Sequence, residues 1–262
     1  MRTVRPGPAI AMIAQVALFI LLSTIVGLGV AGWIVGVAYG FVVNVTLSRA
    51  LDRRGWPVAL LAANRVTLLR ATLVGGVTAL VVDSLFRPHA YAAGPAGLPA
   101  AATTLVALTV VALILDGVDG QVARRTGTAS ELGARFDMEV DAFLIFVLSC
   151  YDVRIVGAWV LAIGAMRYVY VVVGWMLTWM RGPVPPRYWR KVVAAVQGIV
   201  LVLVAAEPLP VWAVELVVAG ALALLVESFG RDIWWLWRRR TTARVSARVD
   251  GARRREVEQP VG

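Results

Sequence analysis

Residues 116–141 read DGVDGQVARRTGTASELGARFDMEVD, and the placement of this stretch decides the fold. An apolar run of helix length, Ala100 to Leu115, leads into it, and a second, Ala142 to Cys150, leads out. Carboxylates stand at Asp116, Asp119, Asp137 and Asp141. On a helix, steps of three, four and seven return to one face, so Asp116, Asp119, Gly120 and Ala123 share a narrow stripe. Gly120 and Ala123 leave the backbone beside the two carboxylates nearly bare. Gly133, Asp137 and Asp141 repeat the pattern at steps of four on the next helix. Two antiparallel helices meeting along these stripes would bring four carboxylates into one pocket.

The rest of the chain says what solvent surrounds that pocket. Of 262 residues, 60% are hydrophobic, and the mean hydropathy of +0.77 lies far above that of a soluble domain. The apolar residues come in blocks of membrane-spanning length. The sequence therefore predicts an all-α, polytopic membrane bundle of about eight transmembrane helices. They run near 9–26, 30–47, 66–82, 100–122, 133–150, 155–180, 190–206 and 211–229. No internal repeat stands out. A net charge of +10 would ordinarily raise nucleic acid as a partner. Here the arginines lie in alternate loops between apolar runs, which is the positive-inside pattern, and no nucleic acid is expected. Arg2, Arg5, Arg49, Arg53, Arg54, Arg124, Arg125 and Arg135 mark one side, continued by Arg181, Arg187, Arg190, Lys191 and the tail from Arg238. That side is the cytoplasm, so both termini and the 123–132 loop face inward across the cell membrane. The first run also has the character of a signal peptide, with Gly29-Val30-Ala31 as a cleavage site, and cleavage would leave the downstream orientation unchanged.

Between the second and third spans, residues 49–65 (RALDRRGWPVALLAANR) mix basic, aromatic and aliphatic residues. They are too polar to span and are expected to lie on the cytoplasmic surface. Asn64, Thr67 and Arg70 follow at steps of three on one face of the incoming helix. A charge at Arg70, a turn inside the membrane, needs either a snorkelling path or an anionic partner. The 83–99 loop is a Pro/Gly/Ala linker containing the one histidine, His89, without evident chemistry. The lone Cys150 excludes an intrachain disulfide and any multi-cysteine metal site. Residues 231–262 are expected to form a basic, disordered cytoplasmic tail, with Trp234, Trp235 and Trp237 marking the interface.

Clustered carboxylates inside a membrane would protonate one another unless a cation holds them ionised. A hard oxygen set without cysteine or histidine suits Mg²⁺ or Mn²⁺, and Mg²⁺ favours a few carboxylates together with substrate phosphates. The small neighbours admit a bulky ligand, and Arg124 stands at the mouth for a phosphate. Close helix packing explains Gly120 or Ala123 equally well. The competing reading of the aspartates is an ion- or proton-coupled transporter. Thr128-Ala129-Ser130-Glu131 has the form of a capping box opening the second helix.

The pattern D-x2-D-G-x2-A-R-x8-G-x3-D-x3-D, here Asp116, Asp119, Gly120, Ala123, Arg124, Gly133, Asp137 and Asp141, resembles the signature of the CDP-alcohol phosphatidyltransferases without substitution or spacing change. The resemblance covers roughly 60–230. It implies a six-helix catalytic core (66–230), with residues 1–48 as two additional N-terminal spans. It implies a dimeric membrane enzyme that moves a phosphatidyl group from CDP-diacylglycerol to an alcohol acceptor and releases CMP. By the motif's roles, Asp116, Asp119 and Asp137 are core metal ligands, and Asp141 is the general base and a ligand to a second metal. Gly120, Ala123, Arg124 and Gly133 line the cytidine diphosphate site. Asn64 and Thr67 resemble the family's N-x2-T entry to its first shared helix and contact the nucleotide.

The acceptor is less legible. Many family members carry G-K-x-K-T-x2-Q where this chain has Arg190-Lys191-Val192-Val193-Ala194-Ala195-Val196-Gln197, which keeps only the first lysine and the glutamine. Arg167, in mid-span, either faces the cavity or forms a structural ion pair. With Arg187, Arg190 and Lys191 it supplies candidate contacts to an acceptor phosphate, which leans the reading toward a phosphorylated polyol.

Overall fold

The computed structural model describes residues 6–53, 62–92, 94, 97–126, 131–182, 184 and 188–257. Eight α-helices account for nearly all of them, and no strand forms among the described residues. They are α1 (Pro6–Val26), α2 (Val30–Arg53), α3 (Ala62–Phe86), α4 (Ala100–Thr126), α5 (Glu131–Val156), α6 (Leu161–Met176), α7 (Tyr188–Ala205) and α8 (Val211–Val257). Sequence punctuation sets the breaks: Pro88 follows α3, Pro99 precedes α4, and Pro208 and Pro210 precede α8.

Spans within α3, α4, α7 and α8, and one running from Ala158 through α6, are long and apolar enough to cross a membrane, and α1 and α2 contribute shorter apolar stretches. The apolar side chains that point outward, such as Ile114, Leu216, Trp175 and Met176, are exposed. That arrangement suits a hydrocarbon solvent, in which backbone groups pair within their own helix. The protein is an all-helical integral membrane bundle, as the hydropathy predicts. α5 carries too many charges to read as a plain span, since the carboxylates of the central stretch lie along it.

α3 is the most enclosed of the spans. It packs against α1, α2, α4 and α5, while α5 also meets α6 and α7, and α7 pairs with α8. Lipid is as apolar as leucine, so this association rests on close packing rather than on escape from water. Small residues make the closest approaches. A Cβ built on Gly164 of α6 would stand 2.6 Å from the Phe146 Cα of α5, so only glycine permits that crossing. Gln197 of α7, buried, donates through Nε2 to the Ala221 carbonyl of α8 at 2.8 Å. The glutamine retained from the family's run thus ties two helices together.

The turn between α1 and α2 is fastened at the end of α3 far from Asn64. The backbone N–H of Gly29, in the α1–α2 turn, donates to Asp83 Oδ1 at 2.9 Å. A Cβ at Gly29 would lie 2.5 Å from the same oxygen. Asp83 also accepts from Arg87, with Nε at 3.0 Å and a second bond through the other guanidinium nitrogen, and from the Tyr91 hydroxyl at 2.9 Å. Burial, followed by the bond to Asp83, pushes the Tyr91 phenol well above its ordinary pKa.

The structure places helix within two segments for which the sequence did not predict it. The surface segment expected over 49–65 is divided: residues 49–53 extend α2, residues 62–65 already belong to α3, and 54–61 lie outside the described residues. The tail expected to be disordered from 231 continues α8 to Val257. Arg238 lies over the Trp234 ring and Arg239 over Trp235, at 3.7 and 4.0 Å to the centroids. These i,i+4 contacts, with alanine and arginine as good helix formers, carry the helix past the tryptophans.

Candidate active site

The start of α3, the end of α4 and the start of α5 lie together because the three helices alternate in direction. Asp116 from α4 and Asp137 and Asp141 from α5 each offer a carboxylate oxygen, and these oxygens lie within 4.8 Å of one another. Three of the four carboxylates read from sequence thus lie together. Asp119, Gly120, Ala123 and Arg124 lie further along α4, but their side chains fall outside the description, as does the cap at Thr128. Gly133 sits in the first turn of α5, half-buried, on the line leading to Asp137. Asn64 and Thr67 occupy the first turns of α3, and their side chains are likewise outside the description.

The side chain that joins the three carboxylates comes from α3. Arg70 is 1% exposed and pairs with Asp116 through Nη1. Its Nη2 lies 2.6 Å from Asp137 and 2.9 Å from Asp141, and donates to the Asp137 backbone carbonyl at 3.1 Å. Of the two readings of Arg70, the anionic partner holds and snorkelling does not. The sequence placed Arg70 on the same face as Asn64 and Thr67 without assigning it to the site. The step of three from Thr67 was the signal available.

The described candidates for acceptor contacts lie on α6 and α7. Arg167 of α6 pairs with Glu139 of α5. Arg190 lies 3.4 Å from Asp232 of α8, and Lys191 is exposed. Arg187 lies outside the described residues. A cavity of about 380 Å³ opens between α2, α5 and α6, lined by Tyr39, Val43, Phe136, Val140, Phe143 and Tyr168 among others. By helical position these α5 residues fall mostly on the side away from Asp137 and Asp141, so the cavity is not the carboxylate pocket.

The donor set fits a hard divalent cation. It is carboxylate only, its oxygens converge, and Arg70 pairs with all three residues. Cys150 and His89 stand toward the other end of α5 and beyond the end of α3, away from this pocket.

The family model for CDP-alcohol phosphatidyltransferase matches residues 60–226, which runs from just before α3 into α8 and leaves α1 and α2 outside. Neither a curated protein nor a solved structure matches the chain. The match spans well over half of the sequence, and it includes Asp116, Asp137 and Asp141, whose carboxylates lie together. The chain belongs to the CDP-alcohol phosphatidyltransferase family.

Proposed function

We propose that this protein transfers a phosphatidyl group from CDP-diacylglycerol to the hydroxyl of an alcohol acceptor, releasing CMP. The observation that carries the reading is the convergence of Asp116, Asp137 and Asp141, from two helices, on one point at one end of the bundle. Asp141 accepts the proton of the acceptor hydroxyl, which requires hydrogen-bond reach between the two. The alcohol oxygen then bonds to the phosphorus beside the diacylglycerol as the bond to CMP breaks. Asp116, Asp119 and Asp137 would hold a divalent ion, Mg²⁺ or Mn²⁺, with Asp141 adjoining a second. When bound, such an ion offsets the negative charge building on the phosphoryl oxygens and on the leaving CMP.

Gly120, Ala123, Arg124 and Gly133 line the path of the cytidine diphosphate in this reading, with Asn64 and Thr67 contacting the nucleotide from α3. A phosphorylated polyol is the acceptor favoured by the basic residues Arg167, Arg187, Arg190 and Lys191. Arg167 and Arg190 would exchange Glu139 and Asp232 for its phosphate. The protein acts as a homodimer in the cell membrane, with both termini and the pocket on the cytoplasmic side, as the arginine distribution supports.

The test is CMP release by the purified protein with CDP-diacylglycerol, Mg²⁺ or Mn²⁺, and a panel of glycerol 3-phosphate, inositol, inositol phosphate, serine and phosphatidylglycerol. Asp141→Asn should lower the rate by about 10²–10⁴-fold while the protein still inserts and purifies. Metal-dependent release with one acceptor names the product. A folded protein that neither releases CMP nor binds CDP-diacylglycerol would sink the reading.

A further inference from the structure

Arg70 is a buried charge at the carboxylate pocket with no part in the reaction proposed above. Its side chain is 1% exposed, so the guanidinium has no path to water. It meets Asp116, Asp137 and Asp141 at once, and these are the residues whose oxygens converge for a cation. The oxygens that would ligate an ion and those that hold Arg70 belong to the same three residues. An entering ion therefore competes with the guanidinium for them. The Arg70 Nε, also buried, has no hydrogen-bond partner among the described residues. A displaced guanidinium, buried and always charged, needs another anion within reach, and its planar fork suits a phosphate.

We propose that Arg70 is an exchangeable counter-cation that holds Asp116, Asp137 and Asp141 together before the divalent ion arrives. Once the ion takes over those carboxylates, Arg70 binds a phosphate of the cytidine-diphosphate donor. The second half rests on the function proposed above. The exchange makes Arg70 a brake on metal binding and an aid to nucleotide binding, two effects of opposite sign. A purely structural ion pair gives no such opposition, because losing it would loosen the pocket for both ligands.

The test uses the full chain in lipid nanodiscs, with Mn²⁺ binding followed by electron paramagnetic resonance without nucleotide. Binding of cytidine 5′-diphosphate is followed by calorimetry at fixed, saturating free Mn²⁺. Arg70→Gln should tighten Mn²⁺ binding about threefold or more, through loss of a nearby like charge. It should weaken cytidine 5′-diphosphate binding about tenfold, the worth of one charge-assisted contact. Arg70→Lys keeps the charge, lacks the fork and is the safer variant for folding. It should shift both affinities in the same directions by smaller factors. Parallel weakening of both ligands, or no change in either, overturns the exchange. Wild-type protein that binds Mn²⁺ but never cytidine 5′-diphosphate overturns the phosphate half together with the proposed function. Wild-type protein that binds both, with variants moving in parallel, overturns the exchange alone.

Discussion

Asp83→Ala is the substitution for which the structure gives the most complete expectation. The carboxylate is 1% exposed and receives the Gly29 N–H, the Tyr91 hydroxyl and two donors of Arg87. Removing it leaves each donor with a different loss. Tyr91 is fully buried, and an orphaned buried hydroxyl costs about 1–3 kcal/mol. The Gly29 N–H, in a tight turn, loses a bond worth about 1 kcal/mol. The Arg87 side chain is 38% exposed, so it turns to water and forfeits only about 0–1 kcal/mol. The total is about 2–5 kcal/mol. Asp83→Asn keeps an oxygen for Gly29 and can donate to the Tyr91 oxygen, so it should cost about 1 kcal/mol less than the alanine variant. Equilibrium unfolding in mixed micelles measures both. The raised Tyr91 pKa adds a pH signature with a definite sign. Above pH ~10 the unfolded chain releases this phenolic proton before the folded one does. The stability held by the protonated phenol is therefore present below that pH and lost as pH rises through the folded value. Tyr91→Phe should flatten that alkaline decline and remove most of the difference between the wild-type protein and Asp83→Asn. An Asp83→Ala protein that unfolds with wild-type stability would refute the reasoning. CMP release per folded molecule should survive all three substitutions, because the cluster lies at the end of α3 away from the aspartates.

Gly164→Ala should destabilise by about 1–3 kcal/mol, since its Cβ would meet the Phe146 backbone at 2.6 Å. Gly220→Ala in α8, with nothing within 4 Å, should be neutral or gain up to about 1 kcal/mol from helix propensity. Thermal unfolding of the two variants side by side checks the contrast, and equal shifts would show that α5 and α6 do not need the close crossing. Glu139→Gln releases Arg167 from a pair whose carboxylate is 59% exposed, so stability should change by no more than about 1 kcal/mol. With a phosphorylated acceptor its KM should fall and kcat should hold. An unchanged KM would remove Arg167 from the acceptor site.

What the sequence disclosed and what it withheld follow the range of the interactions involved. The aspartate stripes were legible because each depends only on spacing along one helix, and the antiparallel order of α4 and α5 follows from a short connection. Arg70 was legible as a charge in need of a partner, but its partners lie 46 residues away and more, and their choice waits on where α3 packs. The two readings of Arg167 stayed level for the same reason, since Glu139 reaches it only across the α5–α6 contact. The bond from Gly29 to Asp83 spans 54 residues and has no local signature at all. In the tail the local signal was present and outweighed: the arginine count argued for disorder, while the Trp234–Arg238 and Trp235–Arg239 spacings argued for a helix.

The position of α3 then explains how a family core accommodates two further helices. Arg70 stands near one end of α3 and Asp83 thirteen residues on, about 20 Å along the axis at 1.5 Å per residue. α1 and α2 pack on α3, outside the matched region, and their turn is hydrogen-bonded at the Asp83 end. They bear on the pocket through how firmly they hold the helix that delivers Arg70, and α2 also places Tyr39 within electrostatic range of Arg70. Loosening the Asp83 cluster should lower stability first, and it should touch metal or nucleotide affinity only when α3 itself shifts.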